Sequence, residues 1–421
     1  MKKIFLAIFS IALFSAVNAQ IDAKVPEIKK SSDIKQDNTK TGDLKIPGTT
    51  TSPVNNGSVR LASQNLFTII RNNDATSVKN QAMTGTCWCF STTSLVESQC
   101  IKGNLGTFDL SEMFTVRNIY LEKARNYILR QGHAQFGEGG LGHDMIRAIA
   151  NYGAVPETVY SGLKPDQKMH NHGKLADDLK KYLDSMLKIS PLPVNWIGGF
   201  QNILDTTLGV PPAEFKYDGK KYTPKSFAAE AVKFSPGDYI NITSFTHHPY
   251  YEPFIIEVPD NFSNGAYYNL PLDEMIQLTK DAIAGGYTVL WDADVSNAGF
   301  LQSRGIAIQI DTAYKIKGKT EILSGNVEEV KWNAALRQQL YENLTTQDDH
   351  LMHITGIEKS SDGKSFFLVK NSWGDIGPNH GYINVSEAYF AINTISLIIP
   401  RVALSKGLLE KLNLKEQVKV R

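Results

Sequence analysis

Apolar residues recur at helical spacing through the first third of the globular region and at strand spacing near its end. In "TCWCFSTTSLVESQCI", Phe90, Leu95 and Ile101 are among the apolar positions and Gly103 supplies a stop, which predicts a helix. "LSEMFTVRNIYLEKARNYIL" predicts a second helix with Ser111 as its cap, and "HDMIRAIANYG" a third closed by Gly153. "LDEMIQLTKDAIAGG" predicts a fourth, with a strand in "YTVLWDADV" after it. "HLMHITGIEK", "SFFLVKNSW" and "GYINVS" read as successive strands joined by turns, one of them "SSDGK". Helices first and strands last predict an α+β fold, with a helical lobe facing a sheet lobe.

The first nineteen residues, "MKKIFLAIFSIALFSAVNA", follow another pattern. Two lysines, a short apolar run and small residues at Val17-Asn18-Ala19 predict an export signal cleaved near Ala19. The apolar run is too short to cross a bilayer comfortably and no second span follows, so no stable membrane anchor is expected. The mature protein is expected in a bacterial periplasm or outside the cell. Residues 20–60 are rich in Lys, Asp, Thr, Ser, Pro and Asn, which predicts a flexible linker without a core. The composition turns globular at Leu61, so residues 61–404 are expected to form the folded domain and residues 405–421 a tail.

A chain of 421 residues with 42% hydrophobic content can bury a core for two lobes. A net charge of +1 gives no sign of a nucleic-acid surface. No His/Asp/Glu group shows metal-ligand spacing along the sequence, so neither a metal nor another cofactor is expected. Three cysteines do not make a disulfide scaffold. On one helix Cys89 and Cys100 would lie about 16 Å apart, well beyond the roughly 7 Å a disulfide allows. Cys87 and Cys89, two apart on a helix, do not face each other. Free thiols in an exported protein call for a role that needs a thiol.

Cys87 is the candidate for it. It follows Gly85 at the predicted start of a helix, where unpaired N–H groups and the helix dipole favour a thiolate. Cys89 and Cys100 lie deeper and read as small core residues. The segment "QAMTGTCWCFS" resembles the nucleophile segment of papain-type cysteine peptidases, with Thr84 where that pattern has its first cysteine. The resemblance implies that Cys87 attacks the scissile carbonyl. It also implies that the Gln81 side chain and the Cys87 backbone N–H bind the oxyanion. The base is sought in "DDHLMHITGI". His350 and His353 should point to opposite faces of a strand, and His350 has the setting of the family's base. "KNSWG" then supplies Asn371 to orient the imidazole and Trp373 to shield that bond. "EGGLG" resembles the family's glycine wall, which makes Gly139 and Gly140 candidates for substrate contact.

His350 follows Cys87 by 263 residues and Asn371 by 284, against about 130–150 in the papain branch. A large insertion, roughly 165–335, is therefore expected between the lobes. In length and in motifs such as "TLGVPPAEFKYDGKKYTPKSF" and "THHPYYEPFIIE" it resembles the bleomycin hydrolase and aminopeptidase C family. That resemblance implies a papain-like two-lobe fold, peptide substrates, aminopeptidase activity and a homo-oligomer, a hexamer. It also implies a tail that enters the cleft and grips the substrate amine, although Lys415, Lys419 and Arg421 would repel an amine. The tail is expected to form a short helix over Leu404–Leu412 and lead towards the helical lobe. An exported endopeptidase and a non-catalytic peptide-binding protein are the alternatives.

Overall fold

The computed structural model describes residues 66–311 and 322–415. The expected signal segment 1–19, the linker 20–60 and the last six residues of the tail lie outside them. Strand β1 (Phe67–Asn72) opens the described fold, and a largely helical stretch follows. It holds α1 (Cys87–Lys102), α2 (Glu112–Leu129), α3 (Gly142–Tyr152), α4 (Gly173–Met186), α5 (Trp196–Leu208), the hairpin β2 (Phe215–Tyr217) and β3 (Lys220–Tyr222), and α6 (Pro224–Glu230).

Helix α1 is buried on nearly every side, which explains why its apolar pattern is not one-faced. Its buried hydroxyls satisfy themselves within the helix: Ser91 Oγ donates to Cys87 O at 2.6 Å and Thr92 Oγ1 to Trp88 O at 2.6 Å. Ser111 caps α2 by accepting from the Phe114 amide at 3.1 Å. Gly153 ends α3 at φ +87°, where a Cβ would lie 2.2 Å from the Pro224 backbone.

The second half builds a sheet from β4 (Tyr239–Thr243), β5 (Pro253–Ile255), β6 (Ala266–Asn269), β7 (Val289–Ala293), β8 (Phe300–Leu301), β9 (Ile306–Ala307), β10 (His350–Ser360), β11 (Ser365–Lys370), β12 (Tyr382–Ser386) and β13 (Thr394–Pro400). The order is β5-β6-β4-β13-β7-β10-β11-β12-β9-β8, and β1 pairs with the far half of β10. Helices α7 (Leu272–Ala284), α8 (Ala334–Glu342), α9 (Glu387–Asn393) and α10 (Lys406–Lys411) complete the described fold.

Strand alternation sorts two cores. Leu290, Leu351 and Ile398 face the helical lobe, together with α1 to α6. Val289, Trp291, Met352, Ile354, Leu397 and Ile399 face the other way, against α7. The expected helical and sheet lobes are both present. Within 165–335, α4 and α5 pack into the helical lobe, while β4 and β7 are strands of the main sheet.

The tail helix forms where the sequence suggested, with Ser405 accepting from the Leu408 amide at 3.2 Å. Its direction differs from expectation. Leu404, Leu409 and Leu412 bury themselves in the core on the sheet face turned away from α1, and Lys411 pairs with Glu274 of α7 at 2.8 Å. Leu409 and Leu412, three apart, with Leu404 just before the helix, matched that core, so α10 packed onto it rather than towards the helical lobe.

Candidate active site

Cys87 is the first residue of α1 and is 8% exposed. Thr86, at the cap position, makes no capping bond, because its hydroxyl pairs with Thr84 Oγ1 at 2.5 Å. The amides of the first turn are therefore left without a side-chain acceptor. Leu351, the residue after His350, shares a core with Cys87 and its amide holds the thiol's pKa down, so the start of β10 lies beside the start of α1. Burial pushes the thiol's pKa up, and the nearby Asp260, Asp348 and Asp292 carboxyls push it further.

His350 is the first residue of β10, and its Nε2 lies 2.7 Å from Asn371 Oδ1. The Asn371 amide cannot turn over without loss, since Oδ1 also accepts from the Ser372 amide at 2.7 Å and Nδ2 donates to Gln302 Oε1 at 3.0 Å. Nε2 of His350 must then carry the proton, and Nδ1 keeps its lone pair. Trp373 lies over the imidazole with ring centroids 4.6 Å apart and shields the bond to Asn371. Burial pushes the His350 pKa down to about 4.

Gln81 is tied to the same corner. Its backbone amide donates to Ser372 O at 2.8 Å and its Oε1 accepts from Ser372 Oγ at 2.6 Å. Its Nε2 donates to Thr84 O at 2.7 Å and has a second N–H to spare. Gly139 and Gly140 flank α1 through close approach. A Cβ on Gly140 would lie 3.1 Å from the Trp88 ring, and one on Gly139 would lie 1.9 Å from Asp260 Oδ2. Trp88 Nε1 holds this loop by donating to Glu138 O at 3.0 Å.

The structure thus brings Gln81, Cys87, His350, Asn371, Trp373 and the glycine pair around one end of α1. His353 is elsewhere. It is fully buried with Nδ1 2.9 Å from Ser94 Oγ, about two turns along α1 from Cys87. The strand argument expected only one of the two histidines to face α1, and the one in contact with that helix is His353. His353 shares with Leu351 the face that carries α1, and His350 sits at the strand's first position, one residue before Leu351, which shares a core with Cys87.

Two features were not readable from spacing. Gln302 braces Asn371 from a short turn about 70 residues earlier, with no local motif to mark it. The second is a His/Glu cluster, against the expectation that none would form. His247, His248 and Glu257 place ligand atoms within 4.8 Å of one another. It is complete as a hydrogen-bonded group. Gln338 Oε1 accepts from the Thr246 amide at 2.7 Å, so its Nε2 donates to His247 Nδ1 at 2.9 Å. His247 Nε2 then bears the proton and faces Glu257 Oε2 at 3.3 Å.

Residues 44–420 match the family model described as the Peptidase C1-like family. The chain belongs to that family. Aminopeptidase C of Listeria innocua serovar 6a is 26% identical over 375 residues, which cover 79% of this chain and 82% of the relative. Aminopeptidase C of Streptococcus thermophilus is 24% identical over 376 residues, covering 76% and 80%. The crystal structure of PepW from Lactobacillus rhamnosis HN001 superposes with a TM-score of 0.63 at 21% identity, covering 82% of this chain and 84% of that one. The fold of this family member is papain-like, a helical lobe and a sheet lobe with the candidate residues where the two meet.

Proposed function

We propose that this member of the Peptidase C1-like family is a cysteine aminopeptidase in which Cys87, His350 and Asn371 carry the chemistry. The observation that carries the reading is that an uncapped helix start bearing Cys87 shares a core with Leu351, next to His350, whose imidazole is oriented by Asn371. Cys87 Sγ attacks the carbonyl carbon while its proton passes to Nδ1 of His350. Neither group ionises readily alone, because burial raises the thiol and lowers the imidazole. Transfer within the pair creates both charges together and leaves the net charge unchanged. The Cys87 amide and the spare Nε2–H of Gln81 receive the oxyanion. His350 then protonates the leaving amine, and water releases the acyl group.

Peptides are the substrates this reading requires, and the relatives named aminopeptidase C favour removal of N-terminal residues. One observation favours the endopeptidase alternative. The described part of the tail packs on the far side of the sheet and leaves the cleft uncovered through Lys415. The product ladder from an unblocked peptide separates the two. Stepwise loss from the N-terminus is expected, and an internal first cut would overturn the aminopeptidase reading. Labelling by a thiol-alkylating probe should fall on Cys87 and block turnover; turnover surviving complete labelling would overturn the mechanism. Export remains part of the proposal, and N-terminal sequencing of the mature protein should begin at Gln20.

A further inference from the structure

Three carboxyl groups, Asp260, Asp348 and Asp292, act on the Cys87 thiol, and Asp260 lies against Gly139 of the glycine wall. Asp348 stands two residues before His350. Asp292 of β7 is opposite Leu351, the residue that shares a core with Cys87. It is fully buried and shares with Leu290 the sheet face that carries α1. Its Oδ2 accepts from Ser396 Oγ at 3.0 Å. Its Oδ1 is buried and has no hydrogen-bond partner, and the Asp348 carboxyl acts on the same side chain. Asp260 closes the group from the wall, with Oδ1 held by Gln135 Nε2 at 2.8 Å and Oδ2 against Gly139.

Two facing carboxyls in a buried site repel unless a proton or a cation lies between them. Lys123 acts on Asp260, but its ammonium is committed to the carbonyls of Gly137 and Gly139. Asp144 adds a further negative charge beside Asp260 and is answered by Arg147 at 2.8 Å. Among the described residues no ion pair joins Asp260, Asp292 or Asp348 to a lysine or arginine. This arrangement opposes the thiolate that a cysteine peptidase needs, and a cation at this spot would reverse the effect. An aminopeptidase substrate brings one. Its α-nitrogen lies two bonds, about 2.5 Å, from the carbonyl carbon that the thiol attacks.

We propose that Asp348 and Asp292, with Asp260 opposite, form a cation subsite on the acyl side of Cys87, and that the α-ammonium of the peptide substrate is its ligand. The inference rests on the aminopeptidase reading and supplies the amine anchor that the described tail does not. The test uses the full-length enzyme and its Asp348→Asn, Asp260→Asn and Asp348→Glu variants, each checked for native circular dichroism. kcat/KM is measured for one peptide with a free N-terminus and for the same peptide acetylated. The wild type should prefer the free peptide, and each Asn variant should lower that ratio at least tenfold. Asp348→Glu should restore part of it. If free and acetylated peptides lose rate in proportion, the carboxyls are structural and the subsite is overturned. If the wild type is indifferent to acetylation, the aminopeptidase reading itself fails. An acetylated peptide with lysine two residues before the cut forms the last arm. Its selective loss in Asp348→Asn, without loss of preference for free N-termini, would give the subsite to a side-chain cation and overturn the α-ammonium assignment.

Discussion

Asn371 is held from three sides, by His350, by the Ser372 amide and by Gln302. In the proposed mechanism it acts through the imidazole, so its support should be visible in kcat and not in substrate binding. Gln302→Leu removes the acceptor for Asn371 Nδ2, and kcat should fall roughly tenfold with little change in KM. An unchanged kcat would mean that the Ser372 amide alone fixes Asn371. Cys87→Ala should abolish hydrolysis with folding retained. Cys89→Ala, which loses a buried thiol bonded to Glu112 O at 3.4 Å, should cost about 1–2 kcal/mol of stability and keep turnover. Activity in the Cys87 variant would remove it as nucleophile. Cys87, His350 and Asn371 could be nominated from the sequence because each sits in a short string that states its own context. Gln302, Asp292 and Asp260 could not. Each contributes through a contact made only when distant strands and loops are brought together, and an isolated Asp or Gln in a sequence carries no sign of that.

The elements followed the same division. Helices α1, α2, α3 and α7 were readable from period and punctuation, since Ser111, Gly103 and Gly153 sit at their ends. Strands β2 and β3 escaped, being three residues each and lysine-rich. Strand β10 was readable in type, but its burden was not. Glu358 lies in its second half, opposite Ile69 of β1 and Phe366 of β11, and is 1% exposed. Burial alone raises its carboxyl to about 7, and its Oε2 has no partner. The folded state thus holds a proton that the unfolded chain releases near pH 4.3. The stability this gives is complete below that value and is lost as pH rises through 7. Across that window the loss is about 4 kcal/mol. Glu358→Gln should remove this dependence, so its melting temperature relative to wild type should be higher at pH 8.5 than at pH 4.5. Parallel curves for the two proteins would mean that the carboxyl ionises without cost.

At the scale of the molecule, the sheet separates two functions. One face receives α1 and, at its edge, the candidate site; the other receives α7 and the tail helix α10. The sequence suggested the helix but could not reveal which face it would choose, because Leu404, Leu409 and Leu412 fit any apolar surface. The outcome makes two truncations informative together. Ending the chain after Leu404 exposes the core that Leu409 and Leu412 cover, each worth about 1.5–3 kcal/mol when fully buried. It should lower the melting temperature sharply. Ending it after Lys415 keeps α10, its bond to Glu274 and the contact between Arg401 and the Lys415 carbonyl. That protein should melt like the full chain. If the Asp348 subsite anchors the substrate amine, it should also keep the preference for free over acetylated peptides. If residues 416–421 supply the anchor, as in the arm expected from the family resemblance, the shorter protein should cleave acetylated peptides as readily as free ones while its melting temperature stays the same. Preference and stability thus respond separately, and a loss of preference at constant stability would return the specificity to the chain's last residues.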